Sequence, residues 1–274
     1  MATLLDIVHT LQGGIIYTNT LNIVHIYTDD ITTGNNSVVC RCRLSDTEGD
    51  MLLKCYARRR RNGRAIYKSA FLSEEIAVFG MGGTIEYVDA VVLPWIDGTP
   101  LDHLFHRPTT DYNALSRSFE QLALATLCQH AAHGDIKPEN IVVGSDGALH
   151  LIDFDGAWLP SFSDDDREET GSPTFCHPRQ NELPFDKHID DFPMAMVATM
   201  LAALAAKREE FEPHILSDNV LFVPQRVIEG TDDMLRRAIR LFERRGDVRH
   251  HALANSLYGC EGRIEGLEEM LTQE

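Results

Sequence analysis

The chain lacks the features that mark several whole classes of protein. Its six cysteines are scattered over 274 residues, which is too sparse for the disulfide scaffold of a small secreted protein. The longest apolar run, at 193–206, is shorter than the about 20 residues that cross a bilayer. The first ten residues include Asp6 and lack the basic start of a signal peptide. These absences predict a soluble, reduced protein of the cytoplasm.

Positive charge is also scarce. The chain has 25 lysines and arginines against 42 aspartates and glutamates, a formal net charge of −17. Such a chain repels phosphate backbones and anionic lipid surfaces, which argues against nucleic-acid and membrane partners. The exception is a run of arginines at 58–61, followed by Arg64. We interpret this run as a solvated loop. The alternatives are docking of an acidic partner or of the chain's own acidic run at 164–169.

What the chain does contain is an ordinary globular composition, with 43% apolar and 24% charged residues. β-Branched and alternating patterns predict strands at 21–28, 37–45, 51–57 and 84–95. Helical spacing predicts helices at 68–80, 111–132 and 190–207, with a helical, charged remainder up to 274. This order predicts an α+β fold with a β-rich part at 1–93 and a mainly helical part at 94–274, together forming one domain.

Two groups of residues have the chemistry of metal ligands but are better explained by packing. Cys40 and Cys42 form a C-x-C pair without a second pair at zinc spacing. Residues two apart on a strand share a face, so we expect both thiols in the core. His177 and His188 stand alone in the sequence, and we expect hydrogen-bonded structural roles for them.

One segment concentrates the residue types that phosphoryl transfer needs. Asp135 and Lys137 precede Asn140, and Asp153 follows after two short predicted strands. A carboxylate can orient a substrate hydroxyl and accept its proton, and a cation can place a phosphate. Carboxylate and amide oxygens suit Mg²⁺, which keeps several waters. Asp135, Asn140 and Asp153 supply that set of oxygens.

These residues resemble the protein-kinase signature H-R-D-x-x-x-x-N followed by D-F-G. The spacings agree as well as the letters, with five residues from Asp135 to Asn140 and thirteen from Asn140 to Asp153. Upstream, 51–54 (MLLK) is similar to V-A-I-K. Downstream, 171–179 (GSPTFCHPR) is similar to the end of an activation segment, and 190–192 (DDF) to the start of the central C-lobe helix. The resemblance covers about residues 30–205 and points to a divergent bacterial group of protein kinase-like proteins.

The resemblance implies a bilobal fold and a role for each matching residue. Asp135 would be the catalytic base, with Lys137 beside it, and Asn140 and Asp153 would bind Mg²⁺. Lys54 would hold the α- and β-phosphates of ATP and pair with a glutamate on the helix predicted at 68–80. We expect that glutamate to be Glu75 rather than Glu74. The remaining nucleotide contacts implied by the resemblance are Gly34, Val39, Leu52, Leu93, Trp95 and Val142.

Several positions depart from the family pattern. Of the glycine-rich loop only Gly34 remains. Gly134 stands where the arginine that pairs with a phosphorylated activation loop belongs, which argues against that form of switching. Asp155 replaces the last glycine of D-F-G, where we expect aspartate to tolerate a left-handed backbone.

Two further departures lead to expectations about stability and size. Arg179 replaces a glutamate, and we expect it to form a stabilising reversed ion pair with an acidic C-terminal residue. Only 18 residues separate Glu75 from Leu93, so we expect a reduced N-lobe with one strand fused or shortened. The polar segment 160–173 is expected to be a mobile loop.

Three functions fit this pattern. The first is an ATP- and Mg²⁺-dependent Ser/Thr protein kinase, since Asp135, Asn140, Asp153 and Lys54 are all present. The second is a nucleotide-binding pseudokinase that acts as a regulatory or scaffold module, which the depleted glycine loop favours. The third is a small-molecule phosphotransferase of the aminoglycoside or choline kinase type, which H-G-D and I-D-F-D also resemble. The expected partner is a protein substrate or a regulatory protein, and the oligomeric state is left open.

Overall fold

Two compact units divide the chain, Met1–Ile96 and Asp97–Glu274. The computed structural model describes residues 2–13, 16–80, 83–215 and 219–272. The first unit is built around an antiparallel sheet, and the second is mainly helical. The protein therefore has an α+β architecture, as the sequence predicts.

The first unit contains a sheet of five strands in the order β1-β3-β4-β6-β5, with the short β2 paired to β3. Neighbouring strands are antiparallel throughout. Its elements are α1 (Leu4–Gln12), β1 (Ile23–Ile26), β2 (Thr32–Thr33), β3 (Ser37–Leu44), β4 (Asp50–Tyr56), α2 (Gly63–Tyr67), β5 (Phe71–Phe79) and β6 (Ile85–Pro94).

One face of this sheet forms a core with α1. Ile7 and Leu11 of the helix pack with alternate strand residues, among them Leu53 and Ile76. Cys40, Cys42 and Cys55 are free thiols in the same core. Burial raises the pKa of Cys40 to about 12 and that of Cys42 to about 11. The packing role predicted for the C-x-C pair is confirmed.

The helix predicted at 68–80 is wrong, because most of this segment forms strand β5. The register of β5 against β6 shifts between Leu72 and Ile76. This bulge interrupts the two-residue alternation of a strand, so the apolar residues on either side of it fall at helix-like spacing. The content of aromatic and β-branched residues favours the strand instead.

The first unit does not have the fused or shortened strand that we expected. β5 and β6 are full strands of 9 and 10 residues, so no strand is lost between Glu75 and Leu93. The element that is small is a helix. In the described stretch between β4 and β5, helix α2 has only 5 residues.

The second unit packs its helices around the apolar helix α4. A three-stranded sheet in the order β7-β8-β9 lies at its start. Its elements are β7 (Gly98–Pro100), α3 (Tyr112–Leu127), β8 (Ile141–Gly144), β9 (Leu149–Leu151), α4 (Asp191–Phe211), α5 (Pro224–Ile228), α6 (Asp233–Arg245), α7 (Val248–Ser256) and α8 (Leu267–Leu271).

Helices α3 and α4 lie where the apolar periodicity predicts them. Asp111 caps α3 by accepting hydrogen bonds from the amides of Asn113 and Ala114. The stretch that includes α4, Lys187–His214, is long and apolar enough to cross a membrane, but 89% of its most apolar window is buried inside the protein. This burial is typical of the core helix of a soluble protein. The final residues 273–274 of the predicted helical C-terminus lie outside the described part of the chain.

Candidate functional site

A short hairpin brings two of the predicted site residues together. β8 and β9 pair in antiparallel register, with Ile141 opposite Leu151. Asn140 directly precedes β8 and Asp153 follows β9, so both stand at the open end of the hairpin. The amide of Ile152 donates to the carbonyl of Asn140 at 3.0 Å and holds this end closed. Local strand pairing thus accounts for the thirteen-residue spacing between the predicted Mg²⁺ ligands.

Both oxygens of the Asp135 carboxylate accept hydrogen bonds or ion pairs. The side-chain amide of Asn140 donates to Oδ2 at 2.8 Å, and the ammonium of Lys137 lies 2.7 Å from the same oxygen. The backbone amide of Ser172 donates to Oδ1 at 2.6 Å. The carboxylate therefore stands in a fixed orientation, while its side chain keeps 14% of its surface exposed.

The loop that carries Asp135 is anchored by the buried carboxylate of Asp190. This carboxylate is 1% exposed, and its oxygens accept the amides of His133 at 2.5 Å and of Gly134 at 2.8 Å. Burial raises the pKa of Asp190, against the opposing effect of His133 and of the two amide bonds. Asp190 immediately precedes α4, so its hydrogen bonds hold the loop against the start of this core helix.

The backbone at Gly134 leaves no room for a side chain. Its φ is +82°, and a Cβ at this position would lie 2.0 Å from the carbonyl oxygen of Gly156. The loop and the turn after β9 touch backbone to backbone at this point, so any side chain on residue 134 would separate them.

The turn after β9 differs from the expected one. The left-handed residue is Asp153, with φ 66° and ψ 70°, whereas Asp155 has an ordinary backbone and is 7% exposed. The expectation of a left-handed Asp155 is therefore wrong. Aspartate tolerates this conformation better than most residues. The next residue, Phe154, places its ring 4.6 Å from that of His133.

The donor set at the hairpin end fits Mg²⁺ by its chemistry. Since the amide nitrogen of Asn140 faces Asp135, its oxygen is directed elsewhere, and Asp153 is exposed. One amide oxygen and one carboxylate suit an ion that keeps several waters and takes further oxygens from phosphates. Within the described ranges, no group of three or more His, Cys, Asp or Glu side chains gathers as a metal site.

In the first unit, the sheet face opposite α1 carries Lys54. Val39 lies directly across from Lys54, and Leu52 across from Leu93. These four residues alternate onto one face, and the three apolar ones are partly exposed there. Lys54 itself is 6% exposed, and its ammonium lies 5.4 Å from the centroid of the Tyr56 ring. The structure thus brings together four of the predicted nucleotide contacts.

Glu75 does not occupy the position predicted for it. It lies in the bulged part of β5, not on a helix, and it is 1% exposed. Its carboxylate accepts the amides of Thr20 and Leu21 at 2.6 and 2.7 Å and the Thr20 hydroxyl at 2.8 Å. The role of a helix glutamate paired with Lys54 is therefore wrong for Glu75, which fixes the chain segment at 20–21 to the edge of the sheet.

The other predicted nucleotide contacts have identifiable surroundings. Gly34 lies in the turn of the β2–β3 hairpin, where its amide donates to the backbone carbonyl of Ser37 at 2.8 Å. Trp95 stacks under the guanidinium of Arg41, 5.3 Å from its ring. Val142 is buried in β8 in the second unit.

Sequence reasoning missed one buried carboxylate on the Lys54 face. Asp89 stands on β6 two residues from Val91, which pairs with Lys54, and it is 4% exposed. It accepts hydrogen bonds from the Ser73 hydroxyl and the amides of Glu74 and Arg60. The signal was present in the sequence, since aspartate is depleted inside apolar strands.

His177, His188 and Arg179, for which we expected structural roles, each have a polar partner. His177 is buried and bonds the carbonyl of Cys260 at 2.9 Å, and His188 bonds Asp191 at 3.1 Å. Arg179 lies 4.0 Å from Glu261, with side chains 49% and 86% exposed. The reversed ion pair is present, but an exposed pair contributes about 0–1 kcal/mol. The destabilisation expected for Arg179→Glu should therefore be small.

In comparison with known proteins, no protein-family model matches the chain, and no curated protein matches it significantly.

Proposed function

We propose that this protein is a divergent protein kinase-like enzyme of the cytoplasm that transfers the γ-phosphoryl group of ATP to Ser or Thr hydroxyls of protein substrates. The observation that carries the proposal is the arrangement around Asp135. A carboxylate held by Asn140, Lys137 and the Ser172 amide stands beside a hairpin end that presents Asp153.

Each side chain of this group has a separate task in the proposed reaction. Asp135 orients the substrate hydroxyl and accepts its proton. Lys137, two residues later and 24% exposed, stabilises the negative charge on the phosphoryl group as it is transferred. Because both groups are already fixed by their partners, little reorganisation is needed when substrate binds.

The nucleotide and its metal ion have candidate ligands in the chain. Asn140 and Asp153 would hold Mg²⁺, which neutralises charge on the phosphates when bound. On the sheet of the first unit, Val39, Leu52 and Leu93 offer an apolar surface for a base beside the cation of Lys54. Buried lysine next to apolar side chains suits a nucleoside phosphate.

One observation favours a second function, a nucleotide-binding regulatory module without transfer activity. The helix that should supply a carboxylate to Lys54 is replaced by strand β5, and Glu75 is engaged by Thr20 and Leu21. A protein that keeps the ligands of Mg²⁺ but has Glu75 engaged elsewhere would bind nucleotide without transferring its phosphate.

A transfer assay separates these functions. The pure protein is incubated with γ-labelled ATP, Mg²⁺ and general protein substrates, beside Asp153→Asn and Asp135→Asn variants. We expect label on Ser or Thr in the wild type and a loss of at least about 100-fold in each variant.

The other outcomes are equally informative. A thermal shift with Mg-ATP but no label transfer would support the regulatory module. Transfer only to small hydroxylated compounds would instead support an enzyme of the aminoglycoside or choline kinase type. The absence of both a thermal shift and label transfer would contradict the proposal.

A further inference from the structure

The segment between the hairpin and α4 is fixed near both of its ends by hydrogen bonds of its backbone. At its start, Trp158 and Ala132 exchange two backbone hydrogen bonds of 3.0 Å. Near its end, the amide of Ser172 reaches Asp135 at 2.6 Å. The expectation of a mobile loop at 160–173 disagrees with these contacts, because a polar composition does not reveal which distant backbone groups its side chains meet.

Arg167 lies at the centre of these contacts. Its guanidinium donates to the carbonyls of Gln180 and Leu183 at 2.5 and 2.8 Å, and it stacks over the Phe185 ring at 5.0 Å. The planar fork of arginine suits two acceptors and an aromatic face at once. A lysine, with one point charge, would not satisfy this arrangement.

Asp164 adds a second connection between the same two stretches of chain. Its carboxylate accepts the amide of Phe185 at 2.6 Å, while Ser163 and Asp166 close a capping box around the turn Asp164–Asp166. Phe185 is 6% exposed and packs with Ala132 and Ile189, against Trp158 and Phe162. Asp164, Arg167 and Phe185, here called the latch, thus tie residues 164–167 to residues 180–185.

We propose that the latch holds the segment 158–185 in its working conformation without phosphorylation, and that Arg167 is a positioning residue that keeps the Ser172 amide on Asp135. In kinases switched by phosphate, a phosphorylated loop residue is ordered by an arginine. Here the arginine is supplied by the segment itself and bonds backbone carbonyls, which removes the need for phosphate. Gly134, which leaves no room for the usual arginine, fits this arrangement. The regulatory meaning of the latch rests on the proposed phosphoryl transfer, but its structural part does not.

Hydrogen exchange of the whole protein tests the latch without requiring activity. We compare the wild type with Arg167→Ala and Arg167→Lys, and use Arg179→Ala as the matched control, since Arg179 is a largely exposed arginine in the same part of the chain. We expect exchange across 160–175, including the Ser172 amide, to accelerate about tenfold or more in Arg167→Ala, and less in Arg167→Lys. The control should exchange like the wild type.

Two additions make the test specific. Guanidinium at tens of millimolar should restore protection in Arg167→Ala, which a general loss of folding would not allow. Phosphatase treatment of the wild type should leave exchange unchanged. Unaltered exchange in Arg167→Ala, or loss of protection after phosphatase treatment, would overturn the proposal. Acceleration that extends through α4 would also contradict it, because Arg167 would then support the whole unit.

The activity assay distinguishes failure of the latch from failure of the proposed function. If the protein transfers phosphate, Arg167→Ala should lower kcat more than it raises the KM for ATP, and phosphatase should not lower the activity. If no transfer is seen in any variant while the exchange pattern is as expected, the latch stands and the kinase proposal fails.

Discussion

At the scale of single residues, the position of the Asp135 loop depends on backbone conformation more than on side-chain chemistry. Asp135 has its carboxylate in place because the loop beneath it approaches the turn after β9 without a side chain between them. Asp153 and Gly134 both have a left-handed backbone, with φ of 66° and 82°. The glycine at position 134 therefore has a steric cause.

A pair of glycine substitutions tests this explanation. Gly134 and Gly147 have nearly equal φ angles, +82° and +80°, but a Cβ on Gly147 would meet nothing within 4 Å. We expect Gly147→Ala to cost about 1–2 kcal/mol, from the left-handed backbone alone. Gly134→Ala should cost at least about 3 kcal/mol, because the added methyl must displace the backbone of Gly156.

The measurement is urea unfolding of both variants beside the wild type. Equal destabilisation by the two substitutions would contradict a close backbone contact at Gly134.

At the scale of elements, a buried network connects helices α3 and α7. Glu120 on α3 is 1% exposed and binds the imidazole of His250 at 2.8 Å and the guanidinium of Arg249 at 3.1 Å. The other ring nitrogen of His250 lies 2.6 Å from Asp247. A carboxylate at such depth requires partners, so the network fixes how these helices pack.

The network should give the protein a pH-dependent stability. Burial lowers the pKa of His250, but the bonds to Glu120 and Asp247 outweigh it, and the net pKa is raised. A raised pKa in the folded state means that the stabilisation is fully present below the unfolded value of about 6.5 and is lost as pH rises through the folded pKa. The advantage of the wild type over His250→Gln, about 1–3 kcal/mol at about pH 6, should therefore shrink by about pH 9.

Chemical unfolding at both pH values measures this difference. His103→Gln, which removes a histidine with 62% side-chain exposure, controls for the loss of an imidazole as such. An advantage that grows with pH would show that His250 is held neutral in the folded protein.

Elements were predictable from the sequence where their periodicity is regular. The apolar spacing of α3 and α4, the Asp111 cap and the alternation in β3 were sufficient to place those elements. β5 was misassigned because its bulge disrupts the alternation, and the role of Glu75 failed with it. No local pattern could show that its carboxylate meets Thr20 and Leu21, which are more than 50 residues away.

At the scale of the whole molecule, charge is distributed very unevenly. Residues 1–96 contain 9 basic and 10 acidic residues, a net of −1, and residues 97–274 contain 16 and 32, a net of −16. The acidity that argues against nucleic-acid partners therefore belongs to the second unit. The arginines at 58–61 lie in a first unit that is nearly neutral.

Self-repulsion in the second unit should make stability depend on salt. Raising the ionic strength from about 0.01 M to about 0.15 M shortens the screening length from about 30 to about 8 Å. We expect the melting temperature to rise by a few degrees, because repulsion among like charges is weakened. Differential scanning calorimetry at constant pH measures the shift, with an uncharged osmolyte of equal osmolality as the control. A fall in melting temperature would show that attractive ion pairs outweigh the repulsion.

The sequence by itself determined the α+β class, the hairpin that brings Asn140 to Asp153, the group of charges around Asp135, and the burial of Cys40 and Cys42. These features depend on spacing along a few neighbouring residues, where local geometry is sufficient. Only the tertiary structure decided the contacts of Glu75, the strand β5 in place of the helix predicted at 68–80, and the bonds of Arg167 to the carbonyls of Gln180 and Leu183. Each of these depends on backbone groups that are distant in sequence, and the position of a carbonyl or an amide in space leaves no mark on the residue types that surround it.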